Sequence, residues 1–199
     1  MRKVECRVPD QKSEHWSIES FEVKEDDFQR MLFNFRNPGR GVAPGKYKRL
    51  MYLPSQDVMM SNTPAEIMDH WGFIREARGH VLVNGLGLGI VLEMLLAKPE
   101  VTKITVIEKD SEIIDLVKPH FDNEDRVEIV HDDAFTYQPP QGVRYDAVWH
   151  DIWLNITSDN LEEMKKLHRK YGRKTGWQGS WCRDECERIR REDQRYAYY

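Results

Sequence analysis

The sequence predicts an α/β protein, a parallel sheet with flanking helices that looks shortened at its C-terminal end. Three observations carry that expectation. Apolar runs of strand length alternate with helical stretches from about residue 80 to residue 150. A glycine-rich turn, Gly85, Gly87 and Gly89, joins the first of these strands to the first of these helices. The later strands each end at an acid: Glu108, Asp133 and Asp151. Strands and helices alternating at this spacing build right-handed βαβ units, whose strands lie parallel.

Taken in order, Glu25–Phe35 reads as a helix and NPGRGVAPGKYK as a mobile loop, followed by short strands at Tyr47–Leu53 and Val58–Met60 around Pro54. Thr63-Pro64-Ala65-Glu66 starts a helix reaching about Ala77: threonine caps, proline suits the first turn, and glutamate closes a capping box. Val81–Val83 is a strand running into the glycine turn. The helix after it turns Ile90, Val91, Met94 and Leu95 to the core. KITVIEKD is a second strand ending at Glu108, and Asp110 or Ser111 caps a helix that stops near Pro119. Val127–Val130 and YDAVWHD give two further strands. Asp159 with Glu162 opens a helix through LEEMKKLHRKYG, GRKTGWQGSW reads as a loop, and CRDECERIRREDQR as a charged helix. No strand is expected after Trp153. The chain thus divides into an extension (1–62), a core (63–156) and a helical segment (157–199).

Composition narrows the classes. With 32% charged residues and a net charge of -4, the chain has a wet, mildly acidic surface, which disfavours nucleic acid as a non-specific partner. No apolar run approaches the roughly 20 residues that span a bilayer. The start, MRKVECRVPDQ, lacks the apolar stretch of a secretory signal, and the three cysteines form no disulfide framework, so a cytoplasmic setting is expected. Cys182, Cys186, His168 and Cys6 lack the spacing of a zinc site, and no metal is expected. Lys165–Lys174 reads as a solvated helix end, and Trp149, Trp153, Trp177 and Trp181 as core or lid packing.

In open parallel sheets, ligands bind outside the carboxyl ends of the strands. There, Gly85 and Gly87 let backbone approach a ligand, with Leu86 between them and Gly89 opening the helix. Glu108, followed by Lys109, is placed to accept from ribose hydroxyls, and Asp133, followed by Ala134, from an adenine amino group. Asn84 reads equally as a ligand of the cofactor's amino-acid part or as a turn stabiliser. Asp151 reads as a general base, an anchor for a substrate amine, or a cap of the next turn. Glu66 reads first as part of its capping box, with a ligand role as the alternative, and His150 as structural rather than catalytic. A dinucleotide fingerprint wants glycine or alanine where Ile90 stands, which turns the motif away from NAD.

The G-x-G-x-G form resembles motif I of class I S-adenosylmethionine-dependent methyltransferases. Asp133-Ala134 after VEIVHD resembles their adenine-contacting segment, and YDAVWHD their motif IV. VLVNGLGLG, with apolar Val83 two residues before Gly85, is similar to the spermidine synthase-like branch; the likeness covers about residues 56–155. It implies a Rossmann-like fold, S-adenosylmethionine as cofactor (its decarboxylated form as the alternative) and Asp151 as the catalytic residue. Two positions depart from that branch: Leu88 replaces an aspartate, and Ile152-Trp153-Leu154 lacks a second acid. Methyl transfer to an acceptor the sequence does not identify is therefore the leading expectation. Aminopropyl transfer and a non-catalytic cofactor-binding or interaction module are the alternatives. Without an N/D-P-P-Y/F tetrapeptide, DNA-base methylation is disfavoured. A full sheet of this kind has three more strands, which a homodimeric partner is a candidate to complete.

Overall fold

The computed structural model describes residues 4–25, 31, 32, 35 and 41–196; the helix expected at Glu25–Phe35 and the start of the loop after it lie largely outside them. The first sheet is antiparallel, in the order β1 (Gln11–Lys12), β2 (Trp16–Val23), β3 (Gly45–Tyr52), β4 (Asp57–Ser61). Strands β3 and β4 are the pair expected around Pro54. However, β3 starts at Gly45, inside the expected loop, because Tyr47 and Leu50 are buried as it pairs with β2.

The second sheet is parallel: β7 (Val127–His131), β6 (Val101–Glu108), β5 (Gly79–Asn84), β8 (Tyr145–His150), β9 (Thr175–Ser180), in that spatial order. Counted along the chain this is 3-2-1-4-5, a Rossmann-like arrangement whose order reverses between β5 and β8. Strand β9 corrects the reading of GRKTGWQGSW as a loop. Its glycines are structural: a Cβ on Gly179 would lie 2.6 Å from the Trp177 ring and 2.9 Å from that of Trp149. Pairing with β8, Trp149 opposite Gly179, supplies the order that local propensity does not. Among the described residues the sheet ends at β9.

Both faces of this sheet are covered. Helices α1 (Pro64–Glu76), α2 (Ile90–Leu96) and α3 (Ser111–Val117) pack with Val81, Val83, Ile104, Val106 and Trp149 in the main core. Helix α4 (Asn160–Tyr171) covers Leu82, Ile107 and Val148 on the opposite face. Helix α5 (Arg183–Tyr196) packs on α4, with Cys186 buried against Leu161 and Met164. Each such large apolar side chain contributes about 1.5–3 kcal/mol on burial. Lys170, expected on a solvated face, instead donates to the carbonyls of Ala134 and Phe135 and ties α4 to the turn after β7.

Helix starts show where caps form. Asp110 caps α3, accepting from the backbone N–H groups of Glu112 (2.9 Å) and Ile113 (3.3 Å). Thr63 stands at the N-cap of α1 without a side-chain cap bond. Glu66 reaches back past it, accepting from Ser61 N (2.6 Å) and Ser61 Oγ (2.7 Å), so the expected capping box is displaced onto the end of β4. The antiparallel sheet docks on α3, where Trp16 Nε1 donates to Asp110 Oδ2 at 2.9 Å and Gln11 Nε2 to the Leu116 carbonyl. Among the described residues no helix is long and apolar enough to cross a membrane.

Candidate functional site

At the carboxyl ends of β5, β6, β7 and β8 lies a cleft of about 290 Å³, with the antiparallel sheet as its far wall. Gly85, Leu86, Gly87, Glu108, Lys109, Asp133, Ala134 and Asp151 all line it. Trp16, Leu50 and Met60 from the antiparallel sheet and Trp153 from the loop after β8 line it too. A larger cavity of about 1050 Å³ lies between α1 and α2, lined by Ile67, Trp71, Ile74 and Met94. It holds neither the glycine turn nor a strand-end acid, so size alone does not mark the site.

The glycine turn is shaped by close approach. Gly85 has φ +101°, and a Cβ there would sit 2.0 Å from the carbonyl oxygen of Asp151, so only glycine lets the ends of β5 and β8 meet. Gly87 has φ +50°, with the Met60 sulfur 2.4 Å from the position of a Cβ. The Leu88 N–H points at that same sulfur, 3.2 Å away. Leu88 itself is buried in the main core.

Glu108 joins the turn to the second strand end. One carboxylate oxygen accepts from Leu86 N at 2.9 Å; the other accepts from Lys109 N (2.8 Å) and Asp110 N (2.9 Å). Three backbone donors hold this buried side chain in one pose, and its further lone pairs can still accept from a ligand. Asp133 commits one oxygen to Phe135 N at 2.7 Å, and Ala134 is buried beneath the turn. Lys109 is exposed at the rim.

Two of the expected residues are not brought into the cleft. Asn84 follows the alternation of β5 and projects with Leu82 to the opposite face, fully buried, where its Nδ2 donates to His150 Nδ1 at 2.7 Å. Gly89 is the N-cap of α2, packed against Phe121. His150 lies on that same buried face, and burial holds its imidazole down to about 3.

Asp151 sits at the floor of the cleft with 16% of its side chain exposed. Burial, then the negative charges of Glu66, Asp69 and Glu108, push its carboxyl up to about 7. The indole N–H of Trp149 opposes that rise without forming a hydrogen bond of good geometry. Across from it lies His70 of α1, which the sequence reading passed over; its Nδ1 is 3.8 Å from Asp151 Oδ2. Desolvation lowers His70 to about 4, so the ring is neutral at physiological pH. The signal for it was present in the sequence. His70 stands four residues after Glu66, on the same side of α1, the helix whose Glu66 bears on Asp151. Trp149 and Trp177 stack with Phe73 in the core, whereas Trp153 faces the cleft.

Fold and cleft together define a Rossmann-like α/β protein with an acid-lined cleft at its topological switch point. No protein-family model matches the chain, and no curated protein matches it. Among solved structures, a DhpI–SAH complex is similar at a TM-score of 0.40 and 23% identity, over 53% of this chain and 50% of that one. A dimethyladenosine transferase from Plasmodium falciparum is similar at a TM-score of 0.38 and 21% identity, over 51% of this chain and 36% of that one. This chain therefore spans half or less of the length of those two solved chains.

Proposed function

We propose that the cleft binds S-adenosylmethionine and that the protein is a methyltransferase. The observation that carries this reading is the placement of Glu108. A fixed carboxylate lies at the second strand end, bonded to the glycine turn at the first and facing the Asp133-Ala134 turn at the third. These residues suit a nucleoside. Glu108 offers lone pairs to a pair of ribose hydroxyls, Asp133 faces an adenine edge beside Ala134, and Trp16, Leu50 and Ile113 supply apolar walls. The missing Cβ atoms at Gly85 and Gly87 leave backbone open to the cofactor's amino-acid end, and Leu86 and Lys109 complete the rim.

When bound, the cofactor supplies a methyl group on a sulfonium that is already a good leaving group. The chain's own contribution is then position and proton handling. Asp151 faces the reactive end, where a carboxyl raised to about 7 exchanges a proton near neutral pH. Asn84 and Gly89 act indirectly, by fixing the strand end and the helix start.

Calorimetry with S-adenosylmethionine, S-adenosylhomocysteine, the decarboxylated cofactor and NAD tests the reading. Binding of the first two in preference to the others is the expected result. Absence of heat with both, or a preference for NAD, would overturn it.

A further inference from the structure

Beneath the floor of the cleft, beside Asp151, lie two buried polar atoms without a hydrogen-bond partner among the described residues, His70 Nδ1 and Trp149 Nε1. Both belong to rings at most a few per cent exposed (His70 1%, Trp149 5%), and the two rings meet edge to face with centroids 6.0 Å apart. Unpartnered buried polar atoms are costly, about 1–3 kcal/mol each, and a fold that keeps a pair of them beside one carboxyl calls for an explanation.

Resting on the methyltransferase reading, we propose that His70 is the positioning residue for Asp151. Its Nδ1 steadies the carboxyl so that one oxygen faces an acceptor whose nucleophilic atom carries a hydrogen, an amine or a hydroxyl. The other unpartnered atom, the indole donor Trp149 Nε1, flanks the same carboxyl. An imidazole suits both forms of Asp151. In one tautomer Nδ1 presents a hydrogen to the carboxylate; in the other it presents a lone pair to the carboxylic acid. Burial keeps the ring uncharged, so it steadies Asp151 without neutralising it.

The step balances. The acceptor's lone pair forms the new bond to the methyl carbon, the carbon–sulfur bond breaks with its electrons on sulfur, and the acceptor's N–H or O–H proton passes to Asp151. The surroundings favour that direction. Glu66 and Asp69 of α1 and Glu108 at the end of β6 bear on Asp151 with negative charge. Asp132 and Asp133 face the same cleft from the turn after β7, and Lys109 lines it with positive charge.

The test is a pH titration by NMR of the full chain, carrying 13C-carboxyl aspartate and 15N histidine. The Asp151 signal is assigned by its loss in Asp151→Asn. The expected result is a titration near neutrality that moves up by about a unit in His70→Phe, which keeps an aromatic ring but offers no hydrogen bond. In His70→Asn, whose amide can stand close to Nδ1, the midpoint stays near that of wild type. In wild type, the His70 Nδ1 resonance should step at the same pH as the Asp151 carboxyl, a readout that survives if a variant fails to fold. An Asp151 midpoint indifferent to His70, or equal shifts in the Phe and Asn variants, or a His70 signal flat through the Asp151 transition, overturns the proposal. S-adenosylhomocysteine calorimetry on the same wild-type sample separates the two failures. No heat there defeats the methyltransferase reading, whereas normal binding with unlinked titrations defeats only the role of His70.

Discussion

Glu108 and Leu86 are joined at 2.9 Å, carboxylate to backbone N–H, across the ends of two neighbouring parallel strands. That bond fixes both the glycine turn and the acid that faces the cleft. Glu108→Ala is expected to weaken S-adenosylhomocysteine binding at least tenfold, about 1.4 kcal/mol. It should also lower stability by about 1–3 kcal/mol, because the buried Leu86 N–H loses its acceptor. Calorimetry and urea unfolding read the two effects separately, and Glu108→Gln should retain part of each.

Gly85→Ala and Gly87→Ala separate close packing from conformation. At Gly85 the added carbon meets the Asp151 carbonyl oxygen, which belongs to the backbone and cannot yield cheaply. At Gly87 it meets the Met60 sulfur, the far end of a flexible side chain, and the left-handed conformation costs about 1–2 kcal/mol. Urea midpoints should therefore fall further for Gly85→Ala than for Gly87→Ala. The reverse order would contradict the observed approach of β5 to β8.

Asp151 sets a pH dependence of known sign. Its folded pKa of about 7 lies above the unfolded value of about 3.9, so between these values the folded state binds more protons than the unfolded state. Stability is lost as pH rises through that window, by up to about 4 kcal/mol in all. Asp151→Asn should accordingly be more stable than wild type at pH 8 by about 2–4 kcal/mol and close to it near pH 4, while losing any methyl-transfer activity. Chemical unfolding at the two pH values reads the difference.

His70 and His150 act in the opposite sense. Burial holds them to about 4 and about 3, below the unfolded value, so the unfolded chain takes up protons first as pH falls below about 6.5. Between pH 7 and 4 the two together should remove about 6 kcal/mol, of which protonation of Asp151 returns about half. Acidification should therefore destabilise Asp151→Asn roughly twice as much as wild type, about 6 against 3 kcal/mol. Equal losses in the two proteins would show that these buried groups do not titrate as placed.

The parts legible in the sequence are those that local chemistry dictates. Strands β5, β6, β7 and β8 are apolar enough to be read without their partners, and the glycine turn and its strand-end acids follow from position along them. What escaped depends on distant partners. Strand β9 carries Gly176 and Gly179, and it is a strand because β8 lies beside it and two indoles need the space beside Gly179. Strand β2, with Trp16 and Ile18 buried, is held between β1 and β3. Trp16 and Met60 reach the cleft from the antiparallel sheet, a meeting that no motif encodes. The place of Asn84 was readable, since strand alternation already sets it on the face opposite Val83.

The central claim is that the cofactor lies at the switch point of the parallel sheet and not in the larger cavity between α1 and α2. A 15N amide NMR titration with S-adenosylhomocysteine tests it most directly. The account predicts saturable shifts at Leu86, Gly87, Lys109 and Ala134, with Trp71, Met94 and Lys98 unmoved. Shifts concentrated on Trp71, Met94 and Lys98, or no saturable shift at all, would contradict it.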